Sequence, residues 1–302
     1  MSALVIETPP AIEPVSLELA KTHLRVTLDD EDNDELIALY IQAARENVED
    51  FCGRSLIDKG YRQSLDAFPY FVDTMMSQLA YPPSYYALPR YSTTLWNYSQ
   101  MMKLWRSPLR KITKIVYISS VTQAPASLYP KPFLWQANQD YFIGDQVQDA
   151  NGNLQEVTAI AANQENEDGS ATSGSATPSW ATGLNGTTAD GPLTWTCVQI
   201  PAPAGDFLYD PDSEPPRIFP LAGQQWPPVL YVPNAVQIHF TAGYGAAADA
   251  VPALAKLSIL HMIANWYENR ESTSAASLKD IPNHLQDALW SIRVLDYAPT
   301  RG

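Results

Sequence analysis

Apolar residues recur at helical spacing near both ends of the chain and alternate, as in strands, between them. Leu36, Ile37, Tyr40, Ile41, Ala44, Val48 and Phe51 follow in steps of three and four, which places them on one helical face. The acidic run DDEDNDE at 29–35 leads this helix and suits the positive end of its dipole, and Gly53 is placed to end it. A shorter helix, LELAKTHL at 17–24, is expected before it, with Ser16 as cap and Glu18 in the first turn. Toward the other end Pro252 fits a first helical turn. Leu254, Leu257, Ile259, Leu260, Ile263, Ala264 and Tyr267 then form a wide apolar stripe. Pro282 opens a last predicted helix, to about 297, carrying Leu285, Ala288, Leu289, Ile292 and Leu295.

Between these ends the period is two. Strands are predicted at 61–68, 101–105, 111–119, 215–220 and 235–244, with a loop rich in Tyr and Pro from Pro69 to about Gln100. The order is helices, strands, an insert, strands, helices. That predicts an α+β fold: an α-helical bundle from the N- and C-terminal segments, a central antiparallel β-sheet region, and a small all-β module inserted in it. The insert spans 132–203, and the surrounding core is 1–131 with 204–302. The insert reads as short strands joined by polar turns, with W-x5-Y-x2-GD-x-V from Trp135 to Val147 and DG-x3-W from Asp190 to Trp195.

Charge sets the insert apart. The chain of 302 residues has a net charge of −14, from 19 Lys and Arg against 33 Asp and Glu. No Lys or Arg occurs between Pro132 and Pro216, which holds 12 of the acids, so the rest of the chain is nearly neutral. This balance excludes a protein that grips nucleic acid through clustered cations, though not one that lets DNA pass without holding it. Proline is frequent, 25 of 302 residues against a usual ~5%, which favours stiff extended connections. The start of the chain, MSALVIETPPAIEP, lacks the basic and apolar regions of a signal peptide, and no apolar run of about 18 residues suggests a membrane span.

Catalytic patterns are missing from the sequence. DDEDNDE looks like a calcium loop, yet counting from Asp30 the sixth and twelfth positions are Glu35 and Ile41, where an EF-hand needs Gly and Glu. His23, His239, His261 and His284 show no metal spacing, and Cys52 and Cys197 form no disulfide or zinc pattern, so no cofactor is expected. No G-x-S-x-G elbow or phosphate-binding glycine loop is present, and the chain is not expected to be an enzyme. Three groups carry possible binding roles. The basic residues Lys103, Arg106, Arg110, Lys111 and Lys114 suit either nucleic acid in a channel or a solvated, subunit-facing edge. Trp135, Tyr141, Trp180 and Trp195 suit either stacking on sugar rings or the core of the insert. Tyr81, Tyr85, Tyr86, Tyr91, Trp96 and Tyr98 suit either a subunit interface or packing on themselves.

Three segments carry a family resemblance. They are LELAKTHLRVTLDDEDNDELIALYIQAARENVEDFCGRSLI at 17–57, PPRIFPLAGQQWPP at 215–228, and AVQIHFTAGYG at 235–245 followed by VPALAKLSILHMIANWYENRES at 251–272. Together they resemble the head–tail connector, or adaptor, proteins of tailed bacteriophages and prophages, over about two thirds of the chain. The segment from Trp135 to Trp195 is similar to small chitin-binding-like modules. The family resemblance implies a structural ring, usually of twelve subunits, in the virion neck. Its partners would be copies of itself, the portal protein and a stopper or tail-completion protein. DNA would pass without sequence-specific binding, and no membrane would be involved. The C-terminal helix of such proteins docks on the portal, which implies Leu285, Leu289, Trp290, Arg293 and Tyr297 as contact candidates. The alternative class is a carbohydrate-binding protein acting through the insert.

Overall fold

The computed structural model describes residues 3–29, 31–69, 100–166, 168–268 and 289–294. Helix α1 (Leu17–Leu24) begins where the Ser16 hydroxyl accepts the Leu19 amide at 3.2 Å, and it ends in Arg25 at a left-handed φ of 58°. Helix α2 (Asp34–Cys52) ends at Gly53, φ 69°, whose amide reaches back to the Glu49 carbonyl. Helix α3 (Ala253–Glu268) follows Pro252. The three helices pack on one another through Ile37, Ile41, Ala44 and Val48 of α2 and Ala255, Ile259, Met262 and Ile263 of α3. The buried face of α3 is narrower than the expected stripe. Ser258 lies inside it with its hydroxyl bonded to the Leu254 carbonyl, and Leu257 is turned out.

Strand β1 (Ala3–Thr8), absent from the sequence reading, starts the main sheet. It pairs with β2 (Lys59–Leu65). After β3 (Met102–Lys103) come β4 (Leu109–Ile118) and β5 (Pro125–Leu128). The insert contributes β6 (Phe133–Leu134), β7 (Asp140–Tyr141), β8 (Gln146–Gln148), β9 (Leu154–Ile160), β10 (Ala171–Thr172), β11 (Thr187–Asp190) and β12 (Leu193–Gln199). Then follow β13 (Phe207–Asp210), β14 (Arg217–Pro220) and β15 (Val236–Ala242). The main antiparallel sheet has the order β1-β2-β15-β4-β5.

The expected antiparallel β region comprises two sheets. Strands β13, β14 and β3 form a separate three-stranded sheet, so 101–105 and 215–220 do not join the ladder of 109–118 and 236–242. The physical reason is length, because only Met102 and Lys103 of the first run pair. Both sheets share one core, with Phe240 stacked on Tyr61, Trp226 stacked on Phe68 at 4.8 Å, and Phe207, Ile218 and Ile238 fully buried.

The insert strands make a five-stranded sheet of order β11-β12-β9-β8-β6, plus the small β10-β7 pair. Their core is separate and built largely of aromatic rings: Tyr141, Trp180 and Trp195 with Val147, Val157 and Leu193. The chain leaves for this region and returns from it at adjoining points. Lys131 donates to the Phe207 carbonyl at 2.9 Å, and Asp206 donates to the Tyr129 carbonyl at 2.8 Å. Gly205, φ 72°, passes so close that a Cβ there would lie 2.3 Å from the Lys131 Cα, so the crossing requires glycine.

Candidate interaction surfaces

The segment from α1 through β2 is organised by a buried charge cluster. Glu49 sits on the edge of the apolar stripe of α2, one residue after Val48. Its carboxylate accepts from Arg45 Nη1 at 3.0 Å, from the Leu56 amide at 2.8 Å, and from Lys59 Nζ. All three charged side chains are at most 5% exposed, which requires this mutual pairing. Arg45 also reaches Glu13 at 2.8 Å, which ties the segment before α1 to α2. Burial pulls the Lys59 ammonium below its ordinary range, and Glu49 opposes that pull. The sequence reading did not single out these charges. The clue was that Arg45 and Glu49 sit one residue after Ala44 and Val48, on the edge of the stripe.

Arg54 joins the two ends of the chain. It donates from Nε to the Ile292 carbonyl and from Nη2 to Glu214 at 2.5 Å, and it lies over the Tyr244 ring. The 289–294 segment is seated at the end of α2, where Val294 donates to the Cys52 carbonyl at 2.9 Å. Of the proposed portal contacts, Leu289 is fully buried against the helices and so packs within the subunit. Trp290 is 48% exposed, set edge-on to Phe51 and covered on one face by Arg293 at 4.4 Å. Leu285 and Tyr297 lie outside the described residues, as do Tyr81, Tyr85, Tyr86, Tyr91, Trp96 and Tyr98.

The basic group separates into two kinds. Arg106 bonds Asp50 at 2.6 Å and the Glu49 carbonyl at 3.1 Å. Arg110 lies 3.5 Å from Asp58 and stacks on the Phe142 ring at 3.2 Å. Lys111 donates to the Gly144 carbonyl at 3.5 Å and lies near enough to Asp58 and Asp145 to act on their carboxyls, and Lys114 has no ion pair among the described residues. Lys114 stands opposite His239 across β4 and β15, and His239 stands opposite Arg62 across β15 and β2. Sequence spacing had no means of adding Arg62 and His239 to this group, because strand register decides it.

In the insert, Trp195 is fully buried and Trp180 and Tyr141 are each 8% exposed. Trp180 and Tyr141 both meet Trp195 edge-on, at 5.8 and 5.0 Å, and Trp135 meets Trp180 edge-on at 6.1 Å. Asp190 accepts both the Trp135 and Trp195 indole N–H groups, at 2.9 and 3.1 Å. Trp135 and Trp195 are thus tied to one carboxylate, while Trp180 and Tyr141 pack edge-on against Trp195. A cleft of about 840 Å³ separates the insert from β4, with Arg110, Lys111, Phe133, Gln146 and Tyr209 among its walls. Asp145 lies under it. Burial pushes its carboxyl above the ordinary range, against the opposing pull of the Phe142 amide, Arg110 and Lys111.

Among the described residues no group of three or more His, Cys, Asp or Glu is arranged to hold a metal, and no helix is long and apolar enough to cross a membrane. Cys52 and Cys197 are both fully buried, and burial pushes the Cys52 thiol up to about 11.

Residues 14–80 match the family described as phage gp6-like head–tail connector protein. That stretch takes in α1, α2, the Glu49 cluster and β2. No protein of curated function matches the chain. Among solved structures, a chain in the virion of a native gene transfer agent particle shares the fold at a TM-score of 0.50 and 16% identity, with 99% of each chain covered. Chains from the neck of the empty particle and of the native particle align at TM-scores of 0.48 and 0.47, with 15% and 16% identity over 100% of both chains.

Proposed function

We propose that this chain is a structural, non-catalytic protein of the neck of a tailed-phage-like particle. Copies of it form a ring, with twelve as the expected number, between the portal and the stopper or tail, and the ring extends the DNA channel. The observation that carries this reading is the connector-family match across 14–80, the segment organised by Glu49. The full-length likeness in fold to a virion chain is consistent with it. A ring repeats one heterologous contact until it closes, which needs a rigid subunit. The buried charge cluster and the Arg54 tie supply rigidity, because they lock α2, β2 and the 289–294 segment together. In this reading 132–203 is an inserted module facing outward, and Trp290 with Arg293 belongs to the portal-side surface. The carbohydrate-binding alternative gains nothing from the four aromatic residues, three of which are nearly or fully buried.

The test is electron microscopy of the purified protein, alone and mixed with the portal protein encoded beside it. The expected result is a ring of added density at the narrow end of the portal. A protein that stays monomeric and ignores the portal would overturn the proposal.

A further inference from the structure

Sheet edges are ordinarily guarded by proline, lysine, short length or bulges, because their free N–H and C=O groups pair with any extended peptide. The main sheet has one edge without such a guard. β1 ends the order β1-β2-β15-β4-β5, and no strand among the described residues pairs with its outer side. Its six residues include Leu4, Val5 and Ile6 in succession and neither Lys nor Pro. Five of the six are exposed, with Val5 at 40% and Ile6 at 52%. Its one acid, Glu7, pairs within the sheet, with Arg62 at 3.2 Å and His239 at 2.8 Å. The register irregularity falls between Ile6 and Thr8, so Ala3–Ile6 stays a regular run.

The opposite end of the same sheet is free of charge. β5 lies at that end, with Pro125 only at its first residue, where a strand tolerates it. The turn between β4 and β5 carries Val121 at 78% exposure, and the neighbouring loop carries Tyr231 at 86%. The two loops are tied together. Ser120 donates to the Pro228 carbonyl at 3.2 Å, and Leu230 donates to the Ile118 carbonyl at 2.8 Å. Tyr129, just past β5, is also exposed. No Asp, Glu, Lys or Arg occurs from 115 to 130 or from 218 to 248, in a chain of which 17% is charged. Exposed aromatic and aliphatic side chains on a surface depleted of charge are the composition of an interface core.

The two ends of the sheet lie roughly 19 Å apart, four strand spacings. Four successive antiparallel pairings leave β1 and β5 running in the same direction. A second sheet laid beside the first without turning therefore brings β1 of one copy to β5 of the next, and the step can repeat. We infer that β1 of one copy docks on the β5 end of the next copy, with the charge-free loops packed against it. The edge itself names the occupant. Unpaired backbone groups recognise an extended strand, and neither end carries the charge that would select a nucleic acid or an acidic partner. Two different surfaces meeting in this way make a heterologous contact, the kind that closes into a ring. The inference rests on the connector reading and adds which surfaces of the subunit meet.

The experiment maps those surfaces. Full-length protein carrying a photoreactive benzoylphenylalanine in place of Ile6 is mixed with isotopically heavy wild type, alone and with the portal protein, then irradiated and digested. Light-to-heavy cross-links are expected in 119–131 or 229–232. Ile6→Lys forces an ammonium into an uncharged contact and is expected to weaken self-association at least about tenfold in sedimentation. Leu39→Lys, on the exposed side of α2, is the control and should match wild type. Both substituted side chains are exposed, so the variants should keep the wild-type circular dichroism. Cross-links confined to any other segment of the second copy, or to the portal, would overturn the inference. So would self-association of Ile6→Lys equal to wild type, or equal loss in Leu39→Lys. A wild-type ring on the portal, scored separately by microscopy, leaves the connector reading standing in each of those cases. Wild type that associates neither with itself nor with the portal overturns both.

Discussion

Glu49 shows why single residues matter more here than the helix pattern suggests. It neutralises Lys59 and Arg45 in a region where all three are nearly inaccessible to water. Removing one partner of such a cluster leaves a buried charge uncompensated and costs about 3–5 kcal/mol. Glu49→Gln is therefore expected to lower unfolding free energy by that amount in urea titrations. Adding Lys59→Met should recover a large part of the loss, because it removes the stranded ammonium. If the double variant is no better than Glu49→Gln alone, the cluster is not what holds β2 to α2. Asp145 behaves oppositely to a paired carboxylate. Its folded pKa is raised by burial, so between the unfolded value near 3.9 and the folded value the native state holds more protons. Its contribution to stability therefore falls as pH rises through that window. Asp145→Asn keeps an acceptor for the Phe142 amide. It should gain on wild type from about pH 4 upward and be the more stable at pH 7, as read from denaturant midpoints across that range. These roles were not legible in the sequence. A charged residue on a helix or in a turn looks solvated until the fold shows what lies over it.

Elements were legible in proportion to their length and regularity. Helix α2 runs from Asp34 to Cys52, between the acidic run and the glycine expected to bound it, because a long apolar stripe, an acidic first turn and a closing glycine all agree. Strand β1 escaped notice because Val5 and Ile6 are adjacent and both well exposed, so no face of the strand is clearly apolar. The division of the β region into two sheets depends on which strands pair, and alternation does not encode that. The insert's aromatic residues, read as either a core or a sugar platform, pack on one another, with few aliphatic residues beside them. Trp195 is the centre of that core, touched edge-on by Tyr141 and Trp180 and bonded through its indole to Asp190. Trp195→Ala should cost the insert about 3–5 kcal/mol. Hydrogen exchange should then show protection lost in β8, β9 and β12 while α2 and β15 keep theirs. Equal loss in all five elements would mean that the two cores unfold as one unit.

At the scale of the whole molecule, the question is whether the acidic, base-free middle is a passenger or a structural member. Its core shares no residue with the cores of the helices and the main sheet. Its ends are already bridged by the paired hydrogen bonds between 129–131 and 206–207. Across the cleft, its described ties to β4 are Arg110 on Phe142 and Lys111 to the Gly144 carbonyl, both partly exposed and of the kind worth little individually. Excision of 132–203, with Lys131 and Ala204 joined through Gly-Ser, is therefore expected to leave the rest folded. Circular dichroism should keep its helical signal, and thermal unfolding should remain cooperative. In the connector reading the shortened protein should still form a ring on the portal, with density missing only from the outer rim. A folded but unassembled product would make the insert part of the subunit contact and reverse its proposed outward position. An unfolded product would show instead that the cleft contacts stabilise β4, so the acidic unit would be integral to the sheet it interrupts.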